Sequence, residues 1–535
     1  MLKKIKRVRP ALKQRWTHHK NNRKLEKLAI NVKENARSSS QAPVIFMGVS
    51  TRLLGMSLNA GFALLTKMSL QLQGVPVIQF VCDSGMDHCM LGSVIKNPLD
   101  KPPCQGCVRQ SRKMYAHSSI AWFKNKPTDR VKDETKNLSI QQLINYQIDN
   151  LPLGNIVLPA IRWVLRRHHL QENEQTRILF RNYILAAESI ARQFTELITR
   201  EKPQKVVVFN GITFPEAVVR WIAVQNKIPV ITYEVGLQPF SAFFSYEQAT
   251  AYPIHVDDEF QLNDKQNKKL DHYLEQRFQG NFSMAGVRFW PTMRTLSESF
   301  LKNSARFKQI VPIFTNVIFD TSQSHANVIF ENMFDWLNHL LSVIQNHPET
   351  LFVIRAHPDE ARPGKASRES VAIWAKTHRV NTFPNVVFVD STEYFSSYEL
   401  IQKSKFVMVY NSTIGLEATL LNVPVLCAGK SRFTQLETVY FPQNQQRYLK
   451  LLEDFLTTDR VDLPQHFVDN TRRFLYVQLF GVSLPLNRYL EEDQIWQGYV
   501  QLKDFGWQDL LPENSDVMRV ISDGILKGSE FVLDL

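Results

Sequence analysis

Ionisable residues follow directly after an apolar run in residues 352–360, FVIRAHPDE. In open α/β sheets ligands bind beyond the carboxyl ends of the strands, which is where Arg355 and His357 would lie if this run is a strand. Arg355 precedes His357 by two residues, so the period of a strand predicts the same face for both side chains. A permanent cation beside a histidine suits a phosphate group. A histidine that simply ends a strand at the surface is the alternative for this stretch alone.

A second candidate set lies in residues 406–426, where Asn411, Ser412 and Thr413 separate a strand-like run from a helix-like one. Free N–H groups and the dipole at a helix start favour an anion, although an N-capping role would by itself explain a serine or threonine there. Glu417 follows Thr413 by four residues, whereas a capping box requires a spacing of three. We therefore expect Glu417 to accept hydroxyl groups of a ribose.

Glu234 closes the apolar run IPVITY within the stretch TYEVG. If this run is a strand of a first domain, Glu234 lies at its carboxyl end and faces a cleft between two domains. A glutamate there is a candidate general base, provided that His357 works from the opposite wall. A glutamate before glycine is otherwise an ordinary turn residue.

Four of the five cysteines lie within 26 residues: Cys82, Cys89, Cys104 and Cys107. One CxxC pair and two further thiols predict a four-thiolate structural zinc site, with His88 as an alternative ligand. Free or redox-active thiols are the other interpretation. Disulfides are not expected, because no secretory signal is found and a reducing compartment follows.

Apolar runs alternate with helix-like stretches along the chain, and the alternation restarts near residue 301. This order predicts parallel sheets covered on both faces, hence an α/β protein of two tandem Rossmann-like domains. The expected divisions are residues 1–42 (basic arm and linker), 43–300 (first domain, with the cysteines), 301–474 (second domain) and 475–535 (a C-terminal helical segment that packs back).

The net charge of +13 over 535 residues is concentrated at the start of the chain. Residues 1–33 contain twelve lysines and arginines and one acid, Glu26, so the remaining chain is nearly neutral. A basic arm binds nucleic acid or an anionic membrane surface, or is a disordered tail. No uncharged apolar run reaches the 18 residues of a membrane span, so a cytoplasmic protein is expected, peripheral to the inner face of the membrane if the arm binds there.

The motifs RAHP, YNSTIGLEA and YEVG together resemble those of bacterial capsule and surface polysaccharide biosynthesis glycosyltransferases of the GT-B architecture, a group with Kdo transferases and similar to bacterial sialyltransferases. The resemblance covers residues 200–430 well. It implies that Glu234 is the catalytic base, that His357 assists the departing phosphate, and that Ser412 and Thr413 hold the nucleotide sugar. Thr315 and Asn316, in FTNVIFD, resemble the segment near the donor. Asn422 stands where such proteins commonly carry glycine.

The reaction that this resemblance implies is an inverting, metal-independent transfer from a CMP-, UDP- or GDP-linked sugar to a glycan or lipid-linked acceptor. A CDP-glycerol-type glycerophosphotransferase and a sugar-nucleotide epimerase are alternatives with the same architecture. A zinc-containing nucleic-acid-binding protein is the alternative from another class. The nearly neutral body of the chain argues against nucleic acid as a partner.

Overall fold

The protein is described from a computed structural model, which covers residues 2–48, 55–90, 97–278, 295–493 and 498–535. Apolar runs bounded by glycine, proline and polar residues form the strands, as expected for buried parallel strands. The strands are β1 Val44–Gly48, β2 Val77–Cys82, β3 Ser119–Phe123, β4 Lys205–Phe209, β5 Val230–Val235, β6 Ser241–Ser245, β7 Gln309–Phe314, β8 Thr350–Arg355, β9 Val386–Val389, β10 Val407–Val409, β11 Val425–Cys427, β12 Leu484–Pro485, β13 Leu490–Glu492 and β14 Val500–Leu502.

The α-helices cover the sheets and connect the parallel strands. They are α1 Leu2–Asn35, α2 Leu58–Leu72, α3 Cys104–Met114, α4 Asp129–Glu134, α5 Ile140–Ile144, α6 Leu153–Leu165, α7 Glu174–Glu201, α8 Glu216–Gln225, α9 Asp264–Phe278, α10 Glu298–Ser304, α11 Gln323–Ala326, α12 Met333–Asn346, α13 Val371–Thr377, α14 Ser397–Gln402, α15 Ile414–Leu420, α16 Gln445–Thr457, α17 Gln465–Tyr476 and α18 Asp516–Lys527.

Two separate sheets define the two domains. The first has the order β12-β6-β5-β4-β1-β2-β3. The strands from β5 to β3 run parallel, and β6 runs antiparallel to both of its neighbours, β5 and β12. The second has the order β11-β10-β7-β8-β9 and is entirely parallel. In both sheets the first strand lies between the second and the fourth, which is the doubly wound arrangement. The predicted pair of Rossmann-like domains is confirmed.

Strand register brings the carboxyl ends of the second sheet to one edge. Phe314 pairs with Arg355 across β7 and β8, and Val409 pairs with Phe314 across β10 and β7. The segments that follow these strands therefore begin side by side: residues 315–322, 356–362 and 410–413, together with 428–432 after β11.

The C-terminal segment returns to the first domain, as predicted. Strand β12 pairs with β6, and helix α18 packs beside α2, where Ser69 Oγ and Ser522 Oγ lie 3.3 Å apart. Met518, Ile521 and Ile525 of α18 are buried in the first-domain core. The segment is not purely helical, however, because three short strands, β12 to β14, precede α18.

The basic arm is a helix, α1, whose second half belongs to the first-domain core. Leu25, Leu28, Ala29 and Val32 are buried there. Their spacing of three and four residues places them on one face of the helix. Lys24 Nζ also lies 2.8 Å from Asp504 Oδ1. The interpretation of residues 1–33 as a detached tail is therefore wrong for the second half of the helix. Within the described residues, no helix combines the length and apolarity that crossing a bilayer demands.

Candidate active site

A cavity of about 450 Å³ opens where the carboxyl edge of the second sheet meets the first domain. The second domain contributes the segments after β7, β8, β10 and β11, and the first contributes residues of α6 and of the segment 247–253. Its charged lining consists of five cationic side chains, Arg166, Arg362, Lys365, Lys430 and Arg432, and three acidic ones, Glu247, Asp320 and Asp359. The excess of positive charge suits an anionic ligand.

His357 lines this cavity at the end of β8. Its Nδ1 accepts a 3.1 Å hydrogen bond from the backbone N–H of Asp359. Because Nδ1 is an acceptor, the neutral ring carries its proton on Nε2. Burial lowers the pKa of His357, while the negative charges of Asp359 and Asp320 act in the opposite direction. The imidazole at neutral pH is thus an uncharged hydrogen-bond donor through Nε2.

Asn411 fixes the turn before α15 and holds two segments of the cavity wall together. Its Oδ1 accepts a 2.7 Å hydrogen bond from Asn316 Nδ2 and a 3.3 Å bond from Gln323 Nε2. Ser412 and Thr413 follow at the cavity surface, and both are partly exposed there. Asn411 is therefore placed to position the wall, whereas the two hydroxyl residues face the space in which a ligand would bind.

Glu234 lies at the end of β5, where sequence reasoning expects the base. Asn210 Nδ2 donates a 2.9 Å hydrogen bond to its Oε2, and the backbone N–H of Val235 donates to its Oε1 at 2.9 Å. Burial raises the pKa of Glu234, the two hydrogen bonds lower it, and the charge of Asp320 raises it further. Glu234 is not itself among the residues that line the cavity. Its side chain is partly exposed, and the charge of Asp320, which does line the cavity, acts on it.

Asp320 and Arg432 connect Glu234 to the cavity. The negative charge of Asp320 raises the pKa of both Glu234 and His357. The guanidinium of Arg432 stacks 3.9 Å from the ring centroid of Tyr252. The Tyr252 hydroxyl donates a 2.7 Å hydrogen bond to the carbonyl of Val235, the neighbour of Glu234. The charge of one acidic side chain thus acts on candidate acid and base groups from both domains.

Thr315 and Arg355, which were predicted to bind the donor, do not line the cavity. Thr315 is buried, and both its Oγ1 and its backbone N–H donate to the carbonyl of Arg355, at 2.9 and 3.2 Å. The Arg355 side chain is also buried and donates from Nε to Ser397 Oγ at 3.1 Å. It does not share a face with His357, because the strand ends at Arg355 and His357 caps the 3₁₀ turn Pro358–Ala361.

Glu417 also differs from the expectation, since it does not line the cavity. Its Oε1 accepts a 2.9 Å hydrogen bond from Arg277 Nε, and its Oε2 accepts a 2.6 Å bond from the hydroxyl of Tyr398. Glu417 and Arg277 are 5% and 7% exposed. The carboxylate is therefore occupied by a buried ion pair with α9 and does not present its oxygens to a ribose.

The four clustered cysteines come together in the first domain. Burial raises the pKa of the Cys82 thiol, and the neighbouring thiols of Cys89, Cys107 and Cys104 raise it further. None of the five cysteines, all of which lie in the described residues, forms a disulfide. Yet no three histidine, cysteine, aspartate or glutamate side chains in the described parts of the chain are arranged to hold a metal ion. The arrangement of these described thiols does not fit the predicted zinc site.

Sequence reasoning missed Asp320, Lys430, Arg432 and Arg166. The first three lie just beyond the carboxyl ends of β7 and β11, so the rule that selected His357 could also have selected them. Arg166 ends a helix, and nothing in its local sequence distinguishes it from Arg167.

Comparisons with known proteins give one family match and several structural similarities. Residues 286–436 match the family described as capsule polysaccharide biosynthesis protein. The chain is similar to KpsC of Thermosulfurimonas dismutans, a beta Kdo 2,4 transferase, at 12% identity over 53% of this chain and 81% of that chain, with a TM-score of 0.36. It is also similar to a UDP-GlcNAc 2-epimerase from Neisseria meningitidis bound to UDP-GlcNAc, at 15% identity over 82% of this chain and 99% of that chain, with a TM-score of 0.24.

No curated protein matches the chain. TM-scores of this size do not assign an activity, so the family match is the informative result. Over residues 286–436, it confirms the predicted resemblance to capsule polysaccharide biosynthesis proteins.

Proposed function

We propose that the protein transfers a sugar from a nucleotide-linked donor to a surface polysaccharide or a lipid-linked acceptor, with inversion at the anomeric carbon. The observation that carries the proposal is a cation-lined cavity between the two domains, with His357 on its second-domain side and Glu234 linked to it from the first domain through Tyr252 and Arg432. A base from one domain and a phosphate-binding donor from the other is the arrangement that a displacement at a sugar carbon requires.

The nucleotide and its phosphates occupy the second-domain side of the cavity. Ser412 and Thr413 offer hydroxyl groups there, and Lys430 and Arg432 offer positive charge. His357 donates from Nε2 to an oxygen of the departing phosphate. Donors aimed at the position where charge develops stabilise the transition state more than the ground state. Because side-chain cations supply this stabilisation, we expect transfer without a divalent metal.

Glu234 removes the proton from the acceptor hydroxyl, which then attacks the anomeric carbon from the face opposite the phosphate. A general base works best when its pKa lies near the operating pH, and burial moves the pKa of Glu234 in that direction. Asn210 and the backbone N–H of Val235 each bind one carboxylate oxygen and so fix its orientation.

The donor class can be measured first by thermal denaturation with CMP, CDP, UDP and GDP, on the wild type and on His357→Ala. We expect one nucleotide to raise the melting temperature of the wild type, and a smaller rise in the variant. CMP would indicate a Kdo- or sialic-like donor, and UDP or GDP a hexose. CDP would favour the glycerophosphotransferase instead, and no shift with any nucleotide would contradict the proposal.

The enzyme works in the cytoplasm, at the inner face of the membrane, where helix α1 holds it to anionic lipids. Seven lysines and arginines lie within residues 1–15, ahead of the part of α1 that is buried in the core. Near an anionic surface such residues contribute about 1 kcal/mol each. Deletion of residues 2–15 should abolish co-sedimentation with phosphatidylglycerol vesicles without unfolding the first domain. Retained binding, or equal binding to phosphatidylcholine vesicles, would contradict this attachment.

A further inference from the structure

Arg166 is a buried cation without a counter-ion in the described structure. It follows α6 in a left-handed backbone conformation, with φ 57°, and its residue exposure is 0%. None of its three guanidinium nitrogens has a hydrogen-bond partner among the described residues. A buried ionised group without a partner is costly and is rarely retained without a reason. Because Arg166 also lines the cavity, a ligand of that cavity can supply the partner.

Two aromatic rings restrict how the guanidinium can bind. Its carbon lies 3.9 Å from the ring centroid of Trp163 and 5.3 Å from that of Phe319. Stacked rings cover the faces of the planar group and leave its N–H edges for hydrogen bonding. Such an edge fits two oxygens of one carboxylate or phosphate.

The surrounding charge does not neutralise Arg166. Burial and the positive charge of Arg368 lower its pKa to about 10, which still leaves it charged at neutral pH. Arg362 and Lys365 line the same cavity. The acid on that segment, Asp359, lies 3.7 Å from Arg362 Nη1. Arg166 thus shares its cavity with two further cationic side chains.

Arg166 belongs to the first domain but is held against the second. Its carbonyl accepts a 2.9 Å hydrogen bond from the backbone N–H of Arg368, and Phe319 follows β7 of the second sheet. An anion bound to Arg166 would consequently contact both domains at the end of α6. This position differs from that of Ser412 and Thr413, which the second domain supplies at the start of α15.

We propose that Arg166 is a substrate-binding residue, which receives an oxyanion, a carboxylate or a phosphate, in bidentate contact along its guanidinium edge. This inference rests on the proposed function and adds to it that the substrate presents an anionic group to the first-domain wall. The group comes either from the donor's phosphates or from an acidic sugar, and the chemistry of the contact is the same for both.

The test compares Arg166→Gln and Arg166→Met with the wild type, and uses Arg167→Gln as a matched control. Arg167 is the next residue and carries the same charge, but it does not line the cavity. Affinities for UDP, inorganic pyrophosphate and glucuronate are measured by calorimetry. Glucuronate binding is measured both without UDP and with saturating UDP. Melting temperatures without ligand report folding.

Removal of an unpaired buried charge should leave the melting temperature unchanged or higher, which distinguishes a binding role from a structural one. Loss of charge-assisted hydrogen bonds should weaken binding of the relevant anion by about 10- to 100-fold in both Arg166 variants. Weakened UDP and pyrophosphate binding would assign the anion to the donor, and weakened glucuronate binding alone would assign it to an acidic sugar.

Unchanged affinity for all three probes in both Arg166 variants, with the wild type binding at least one, would overturn the role of Arg166 and leave the transferase proposal intact. Equal losses in Arg167→Gln would also overturn it, because net charge would then be the cause. Failure of the wild type to bind any nucleotide in the thermal panel bears on the transferase proposal separately.

Discussion

Asn210 Nδ2 donates a 2.9 Å hydrogen bond to Glu234 Oε2, and this bond joins the turn after β4 to the end of β5. The Oδ1 atom of Asn210 accepts from the backbone N–H groups of Ile212 and Thr213, each at 3.2 Å. One side chain thereby shapes its own turn and orients the candidate base. Adjacent parallel strands bring the two residues together, although 24 positions separate them.

Glu234→Gln should lower the rate of sugar transfer by about 10²- to 10⁴-fold, the usual contribution of a general base. Affinity for the donor nucleotide should remain within a few-fold of the wild type, because the proposed nucleotide site lies on the other domain. Steady-state kinetics and calorimetry measure the two effects. A rate close to that of the wild type would remove Glu234 from the mechanism.

Asn210→Asp should move the rising limb of the pH–rate profile to higher pH. Hydrogen bonding from Asn210 lowers the pKa of Glu234, and the replacement removes that donor and adds a negative charge beside the base. Both changes raise the pKa, so a higher pH is needed to ionise Glu234. The Oδ1 acceptor of the turn is retained, which makes a folding defect a poor explanation for the shift. A limb that stays in place, or moves to lower pH, would contradict the assignment.

His357→Asn and His357→Ala separate the structural and chemical parts of the histidine. The side-chain oxygen of asparagine can accept the hydrogen bond that the backbone N–H of Asp359 donates to His357 Nδ1. Neither variant retains a hydrogen-bond donor at the position of Nε2. Both should lose about 10²- to 10³-fold in kcat, by analogy with removal of one transition-state donor. Only His357→Ala should also lose thermal stability. Full activity in His357→Asn would show that Nδ1, and not Nε2, is the important atom.

The alternation of apolar runs and helices was sufficient to predict the two sheets, because buried parallel strands have a local signature. Predictions about His357 and Ser412 depended on the same signature, since strand ends locate the ligand edge of the sheet. Arg355 shows where strand periodicity fails. Its side chain follows the strand, but the backbone turns at Pro358, so the residue two positions later no longer shares its face.

Contacts between distant segments could not be predicted from the sequence. Glu417 has the position of a ligand-binding residue within its own helix, and only Arg277, 140 positions away, reveals its other role. For Arg166 the reverse holds: its local sequence does not suggest ligand binding, and only the packing of the folded chain shows that its guanidinium lacks a partner among the described residues. By contrast, the buried face of α1 was visible in the spacing of Leu25, Leu28 and Val32 and was obscured by the surrounding positive charge.

Glu417→Gln should destabilise the protein by about 3–5 kcal/mol, because it removes the carboxylate charge that pairs with the buried Arg277. Tyr398→Phe, which removes only the 2.6 Å hydrogen bond to Oε2, should cost about 1.5–3 kcal/mol. Urea denaturation measures both. Nucleotide affinity of the folded Glu417→Gln protein should equal that of the wild type. A stable variant that binds nucleotide poorly would instead restore the ribose role expected from the sequence.

Glu216 should make the protein less stable as the pH rises from about 5 to 8. Burial raises the pKa of this carboxyl to about 8, and the charge of Glu234 adds to the shift. Between the unfolded pKa of 4.5 and the folded value of about 8, the native state binds more protons than the unfolded state. Stability therefore falls with rising pH in that window, by at most about 1.4 kcal/mol per pH unit for one group.

Glu216→Gln should flatten this dependence in urea denaturation series, since glutamine keeps the shape of the neutral acid. Glu360 offers a matched control, because burial also raises its pKa to about 8 while it lies in the second domain. Glu360→Gln should flatten the same window without altering the pH–rate profile. Glu216→Gln should move the alkaline part of the rising limb toward lower pH. In that pH range the wild-type Glu216 is ionised, and its negative charge opposes ionisation of Glu234. Identical rate profiles for the two variants would show that Glu216 and Glu234 are not coupled.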